Sequence, residues 1–390
     1  MLEPVYLDHN ATTPVAAEVL AAMEPWLHEH FGNPSSSHDR GRHAAHAVAS
    51  ARAQTARLIG ARPEEIVFTG CATEANNLAL LGVARALGTA GRHLVISAVE
   101  HPAIAGPAMA LRDQGWEVTT LPVDAFGRTT VDDLARALRP DTALVSVMHA
   151  NNEVGTLQPV AEMARLARSR GILMHTDAAQ SAGKLPLDVD ALGVDLLTLA
   201  GHKFNAPKGV GALYVRSGTS IRAIMHGADQ EHGLRPGTEN VALIVAMGAA
   251  AQLAQDSLPA LTGQLRSLRE HLLQLLAARV PGLLLNGHPE HRLPNTLHLS
   301  FPGVGGREVL AGAAQDVAAS VGSACHSDND AVSGVLAAMG LDARRARGAV
   351  RLSVGRTTQS ADIERAASAL SSAWERLSRQ GSWLSASGSA

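Results

Sequence analysis

The chain has 390 residues, 46% of them apolar and 18% charged, with a formal net charge of −3. At roughly 150 residues per domain, this describes a globular protein of two or three domains, or one large α/β unit with a smaller companion. The charge balance gives no nucleic-acid surface, no run approaches the ~18 consecutive apolar residues of a membrane span, and two cysteines, Cys71 and Cys325, exclude a disulfide framework or a zinc finger. The opening Met1-Leu2-Glu3-Pro4 has neither a basic nor an apolar leader region, so a cytoplasmic protein is expected.

Short apolar runs then alternate with helical patterns. Strands are predicted at 65–69, 93–98, 117–122, 142–149, 172–176, 195–200 and 211–215, with helices at 73–87, 104–114, 131–138 and 160–170. Such alternation builds βαβ units, hence an α/β fold with a mostly parallel sheet flanked by helices. A long helix is predicted over 238–278, including an amphipathic stretch at 261–280. Beyond it come strands at 295–301 and 349–354 and helices at 307–314 and 361–379, a smaller α+β domain. The expected division is an N-terminal segment (1–15), a large domain (16–255), a small domain (256–380) and a Ser/Gly/Ala-rich tail (381–390) that frays.

Ligands of parallel sheets sit beyond the carboxyl ends of the strands. Lys203, in Gly201-His202-Lys203, follows such a strand. The lysines are Lys184, Lys203 and Lys208; every other member of the 33 Lys+Arg is arginine. A sequence that uses Arg almost everywhere keeps Lys where an amine nucleophile is needed. Lys184 reads as surface and Lys208 as a loop residue. Asp177 ends an apolar strand, as an N-cap or as the partner of a cationic ring nitrogen, and Gln180 lies on the same side. The turn Thr69-Gly70-Cys71-Ala72-Thr73 leads into a helix whose N-terminus suits an anion, with Cys71 as packing. His101, in Glu100-His101, is a loop histidine or a ring that stacks on a flat ligand. Arg351 reads as a surface ion pair or as a clamp for a carboxylate. Cys325, among small and polar residues, suits an exposed nucleophile on a mobile loop.

These segments occur in a telling order: Tyr6-Leu7-Asp8-His9-Asn10-Ala11-Thr12-Thr13-Pro14, Gly32-Asn33-Pro34, Glu100-His101-Pro102, Asn151-Asn152-Glu153-Val154-Gly155, His175-Thr176-Asp177, Gly201-His202-Lys203, Arg235-Pro236-Gly237-Thr238 and Gly322-Ser323-Ala324-Cys325. From Val5 to about Arg379 the chain resembles the cysteine desulfurases, of the aminotransferase class V group within the fold type I enzymes of pyridoxal 5'-phosphate (PLP). The resemblance implies that Lys203 holds PLP and shuttles a proton. It implies that Asp177 pairs with the ring nitrogen, His101 stacks on the ring and Gln180 bonds the phenolic oxygen. Ala72, Thr73 and His202 would bind the phosphate, with Thr238 reaching over from the second subunit of a homodimer. Asn152, Arg351, Asn10 and Ala11 would bind the substrate. Cys325 would take its sulfur as a persulfide and pass it to an acceptor such as an iron–sulfur scaffold protein.

The chain departs from that pattern at Ala200, where the family has a serine, and at Gly70-Cys71. Its Cys325-His326-Ser327-Asp328, Arg292-Leu293-Pro294-Asn295-Thr296 and Arg351–Arg356 runs are similar to animal selenocysteine lyases, whereas Pro102 is as in many desulfurases. L-cysteine and L-selenocysteine therefore both stand as substrates. A non-catalytic sulfur carrier or scaffold is the reading from another class.

Overall fold

The computed structural model describes residues 3–88, 91–322 and 333–386, with side chains through Gln380. In chain order its strands are Val5–Tyr6 (β1), Ile66–Thr69 (β2), His93–Ser97 (β3), Glu117–Leu121 (β4), Thr142–Ser146 (β5), Leu173–Asp177 (β6), Leu196–Ala200 (β7), Gly211–Val215 (β8), Leu284–Asn286 (β9), Thr296–Ser300 (β10), Val317–Ala318 (β11) and Ala349–Ser353 (β12). Strands β2 to β8 form one sheet in the order β2-β8-β7-β6-β5-β3-β4. Neighbours from β7 through β4 run parallel, and β8 is antiparallel to both β7 and β2. The β7–β8 link is too short for a crossover helix, so the chain can only turn back on itself. Strands β3, β5 and β7 are buried along their whole length, which is why they read as mostly apolar runs without alternation. The order reverses between β3 and β5, so a crevice opens beyond their carboxyl ends. The run predicted to stay extended to residue 149 leaves the sheet after Ser146 and walls that crevice.

One apolar core lies under the sheet against helices Asp39–Leu58 and the first half of Val241–Arg279; another covers the opposite face with helix Ala72–Leu87. The helices at 17–58 are absent from the sequence reading, and helix Asp39–Leu58 shows why. Its buried positions include Gly41, Ala44, Ala51 and Ala56, so it presents little apolar bulk to a periodicity search. Small residues serve close approach instead: a Cβ on Gly248 would lie 2.5 Å from Ala51 Cα.

A third core joins Leu265, Leu268, Leu272 and Leu276 to β10, β12 and the C-terminal helix, and it includes Val5 and Leu7. We place the division of the chain near residue 256, inside the single helix Val241–Arg279, whose residues up to Ala254 serve the first core and from Leu265 the third. This helix is apolar and long enough to cross a bilayer by length and composition alone, with half of the relevant window buried in the protein's own interior. The N-terminal segment packs with the C-terminal unit, since β1 pairs in parallel with β11 and β12 pairs antiparallel with β10 beside it. Helix Ser360–Ala386 runs into the stretch expected to fray from 381, since Ser and Ala tolerate helical backbone and no proline interrupts.

Gly211 opens β8 beneath the turn into helix Ala72–Leu87. A Cβ there would lie 2.7 Å from Cys71 C and 2.9 Å from Ala72 N, both backbone. We therefore expect Gly211→Ala to destabilise the protein by about 1–3 kcal/mol in urea titration, through overpacking that no side-chain rotation relieves.

Candidate active site

The crevice widens into a cavity of about 480 Å³ whose walls come from the ends of β2, β3, β5, β6 and β7 and from β12. Lys203 stands in the 3₁₀ turn that ends β7. Its Nζ donates to the carbonyl oxygens of Asn10 (2.6 Å) and Ala11 (2.8 Å). Burial, with Arg351 adding to it against Asp177 and Asp8, pulls its pKa down to about 8, within reach of a neutral, nucleophilic amine near neutral pH. Asp177 ends β6. One carboxylate oxygen accepts from Asn76 Nδ2 (2.7 Å) and the other from the Ala179 N–H (2.9 Å). The N-cap-like contact and the buried, cavity-lining position thus coexist.

Ala72 and Thr73 bring the N-terminal end of helix Ala72–Leu87 to the cavity, where the first amides lack i−4 acceptors. Cys71, expected as packing, is exposed and caps this helix: its Sγ accepts from the Glu74 N–H (3.4 Å). The turn has to open towards a ligand, so its first side chain is not covered. His202 also lines the cavity, 3.2 Å from Thr12 Oγ1; burial first, then the lysines, push its pKa to about 4 and keep it neutral. His101 caps helix Pro102–Asp113. Its Nδ1 accepts from the Ala103 N–H (3.1 Å), which places the proton of the neutral ring on Nε2.

Lys184, read from the sequence as surface, is buried against Gln180 and donates to its Oε1 at 3.2 Å. The turn after β6 folds inward beneath the site, which scarcity of lysine alone could not reveal. Its burial, with Lys203 and Arg351 nearby, lowers its pKa to about 7. Gln180 Nε2 donates to the Asn10 carbonyl at 3.0 Å.

At the other end, Arg351 of β12 is buried and not at the surface. Nη2 pairs with Asp8 Oδ1 (2.7 Å) and bonds Ser320 Oγ (3.0 Å); Nη1 donates to the carbonyls of Asn152 (2.9 Å) and Gly322 (3.3 Å). Its Nε has no partner among the described residues. The Asn10 side chain is tied up by Thr296 Oγ1 (2.8 Å), the Asn152 carbonyl (3.2 Å) and Asn295 Nδ2 (3.0 Å). A fully buried amide has to satisfy its polar edges, so what Asn10 offers the cavity is its backbone. Asn152 and Ala11 also line the cavity. Thr238 does not; it is exposed, next to a separate small pocket that includes Gly237 and Arg235. Cys325 lies outside the described residues. On one side of that segment Gly322 is bonded to Arg351, and on the other Ser333 donates to Glu153 Oε2 (2.5 Å).

Three residues were not foreseen in these roles, Asn76 and Glu100 on the wall and Asp8 behind it. Asn76 holds Asp177, and Asp8 holds Arg351. Glu100 accepts from Ser97 Oγ (2.6 Å) and the Met148 N–H (2.8 Å) through Oε1, and its burial pushes its pKa up to about 8. Only Glu100 and Asp8 lay within recognised motifs; Asn76 sits in a helix with no local mark.

PLP fits this donor set. Lys203 supplies an amine for its aldehyde, Asp177 a carboxylate for a cationic ring nitrogen, and the end of helix Ala72–Leu87 a positive pole for its phosphate. The aminotransferase class-V family model matches residues 5–366. The chain belongs to the aminotransferase class-V family. It is 46% identical over 364 residues to the cysteine desulfurase IscS of Dictyoglomus turgidum, covering 93% of this chain and 92% of that one. Among solved structures, a NifS-like protein superposes with a TM-score of 0.89 at 36% identity, covering 96% of this chain and 99% of its own. SspA in complex with cysteine superposes with a TM-score of 0.81 at 36% identity, covering 90% and 98%. Fold type I architecture and PLP dependence go with this family.

Between its lowered value and the 10.5 of an ordinary lysine, each buried lysine carries fewer protons folded than unfolded. The contribution of these two lysines to stability therefore rises with pH from about 7 upwards, and their penalty is fully present below that. In urea titrations of the cofactor-free protein across this window, Lys203→Met should remove the part of the rise that begins near 8.

Proposed function

We propose that the protein is a PLP-dependent cysteine desulfurase that converts L-cysteine to L-alanine and takes the sulfur onto Cys325 as a persulfide. The observation that carries this reading is the convergence of Lys203, Asp177, Gln180 and His101 on one cavity, in a chain 46% identical to a cysteine desulfurase. When bound, PLP supplies an electron sink beside the substrate α-carbon. Lys203, with its lowered pKa, attaches the cofactor and then takes and returns a proton at that carbon. Asp177, fixed by Asn76, favours a protonated ring nitrogen. His101 offers a neutral ring with Nε2–H turned away from its own helix. Arg351 keeps a buried positive charge for a substrate carboxylate, aided by Asn152.

The Cys325 thiolate attacks the substrate sulfur. An S–S bond forms, the C–S bond breaks with its electron pair left on carbon, and a proton completes alanine. No oxidant is required. Sulfur then moves to an acceptor protein, for which an iron–sulfur scaffold is our assignment, from the IscS name of the relative. A homodimer is supported by the exposed apolar residues Leu20, Leu27 and Phe31 near the N-terminal helices, and would let Thr238 complete a neighbouring cavity. L-Selenocysteine remains the alternative substrate, on the likeness of residues 325–328 and 351–356 to the lyases.

Borohydride trapping followed by peptide mapping should place the pyridoxyl group on Lys203 and lose it in Lys203→Ala. With L-cysteine, Cys325→Ala should retain that adduct but lose sulfide release by at least about 100-fold, as expected when a covalent nucleophile is removed. If Cys325→Ala still turns over selenocysteine and wild type ignores cysteine, the lyase reading replaces this one.

A further inference from the structure

Lys184 has no place in the reaction described above, yet the fold buries it. It is 6% exposed, and its main chain is held at both ends: the N–H donates to Ser181 O (3.0 Å), and the carbonyl accepts from Thr262 Oγ1 (2.9 Å). No carboxylate pairs with it among the described residues; the acceptor for Nζ is Gln180 Oε1. A buried lysine without an ion-pair partner is costly, and an apolar side chain of the same length would fill the space more cheaply.

The contact has a directional consequence. A glutamine amide can present either its oxygen or its nitrogen to a given neighbour, and the two edges have nearly the same shape. Gln180 sits between two neighbours that leave no choice. In its ammonium form Lys184 only donates, and so takes the oxygen. The Asn10 carbonyl only accepts, so it takes the nitrogen, at 3.0 Å. The same Asn10 oxygen receives Lys203 Nζ at 2.6 Å, which puts the N–H edge of Gln180 on the side of the reactive amine.

We propose that Lys184 is a positioning residue that locks the Gln180 amide with its donor edge towards Lys203, so that the site presents a fixed N–H to an anionic ligand oxygen. This rests on the PLP reading, in which that oxygen is the phenolic oxygen of the cofactor. Without Lys184 only the Asn10 carbonyl holds the donor edge in place, and the amide more readily turns its own oxygen to the anion, an attraction becoming a repulsion. Lys184 acts through Gln180 and does not touch the reacting atoms.

The test measures PLP affinity of the full-length apoprotein by the visible circular dichroism of the bound cofactor, in wild type, Lys184→Met, Gln180→Ala and the double variant. Each single change should weaken binding by about tenfold, the double should be no weaker than the worse single, and Lys184→Arg, which also only donates, should stay within about threefold of wild type. Additive losses, or wild-type affinity in Lys184→Met, overturn the proposal. Thermal melts of the apoproteins establish that the variants are folded. Should Lys184→Met not fold, Gln180→Glu carries the test: it still accepts from Lys184 but offers no donor. Loss of affinity at least equal to that of Gln180→Ala supports the proposal, and wild-type affinity overturns it. Borohydride mapping of the wild type separates the two levels. Absence of an adduct on Lys203 removes the cofactor reading itself, whereas an adduct with additive losses removes only the role of Lys184.

Discussion

The site depends on one backbone oxygen. The Asn10 carbonyl accepts from Lys203 Nζ and from Gln180 Nε2, and its neighbour, the Ala11 carbonyl, takes the amine's second bond. Those oxygens are held in place because the Asn10 side chain is bonded to Thr296 and Asn295 and its N–H to Ser353 Oγ. The acceptors that set the amine therefore come from the unit built on β10 and β12, while the amine itself comes from the end of β7. The cavity draws its lining from both parts of the chain, and residues 7–13 bond to both.

Their junction gathers positive charge. Lys203, Lys184 and Arg351 lie close together, with Asp177 and Glu153 on the cavity wall, Asp8 paired to Arg351, and Glu100 pushed towards its neutral form. The histidines respond as electrostatics demands: His202 and His9 are both depressed to about 4, by burial first and by the lysines next. A protein arranged this way sacrifices stability in its empty state. An anionic ligand that binds only the folded form recovers it by mass action, so the same residues that strain the fold make a phosphate and a carboxylate welcome.

The sheet was legible because its inner strands are buried on both faces and bounded by turns, and the candidate site was legible because its motifs fall in one order along the chain. Helix Asp39–Leu58 was invisible for the opposite reason: contact through Ala and Gly leaves no apolar stripe. Lys184 was misplaced because nothing local distinguishes a lysine that points inward from one that points out; the difference lies in how the turn after β6 folds under Gln180. Arg351 was found, but its pairing with Asp8 joins residues 343 apart in the chain, and no spacing rule reaches that far.

The pairing of β1 with β11 gives assembly an order. Val5 is made ~300 residues before its partner Val317 and the helix Ser360–Ala386 that covers it. Until they arrive, the segment bearing Asn10 and Ala11 lacks its bonds to Thr296, Asn295 and Ser353 and is held only from the side of the sheet, through Gln180, Lys203 and His202. Completion of the cavity thus waits on β10, β11, β12 and the helix Ser360–Ala386, and a chain lacking them would keep the strands of the large sheet without a finished pocket.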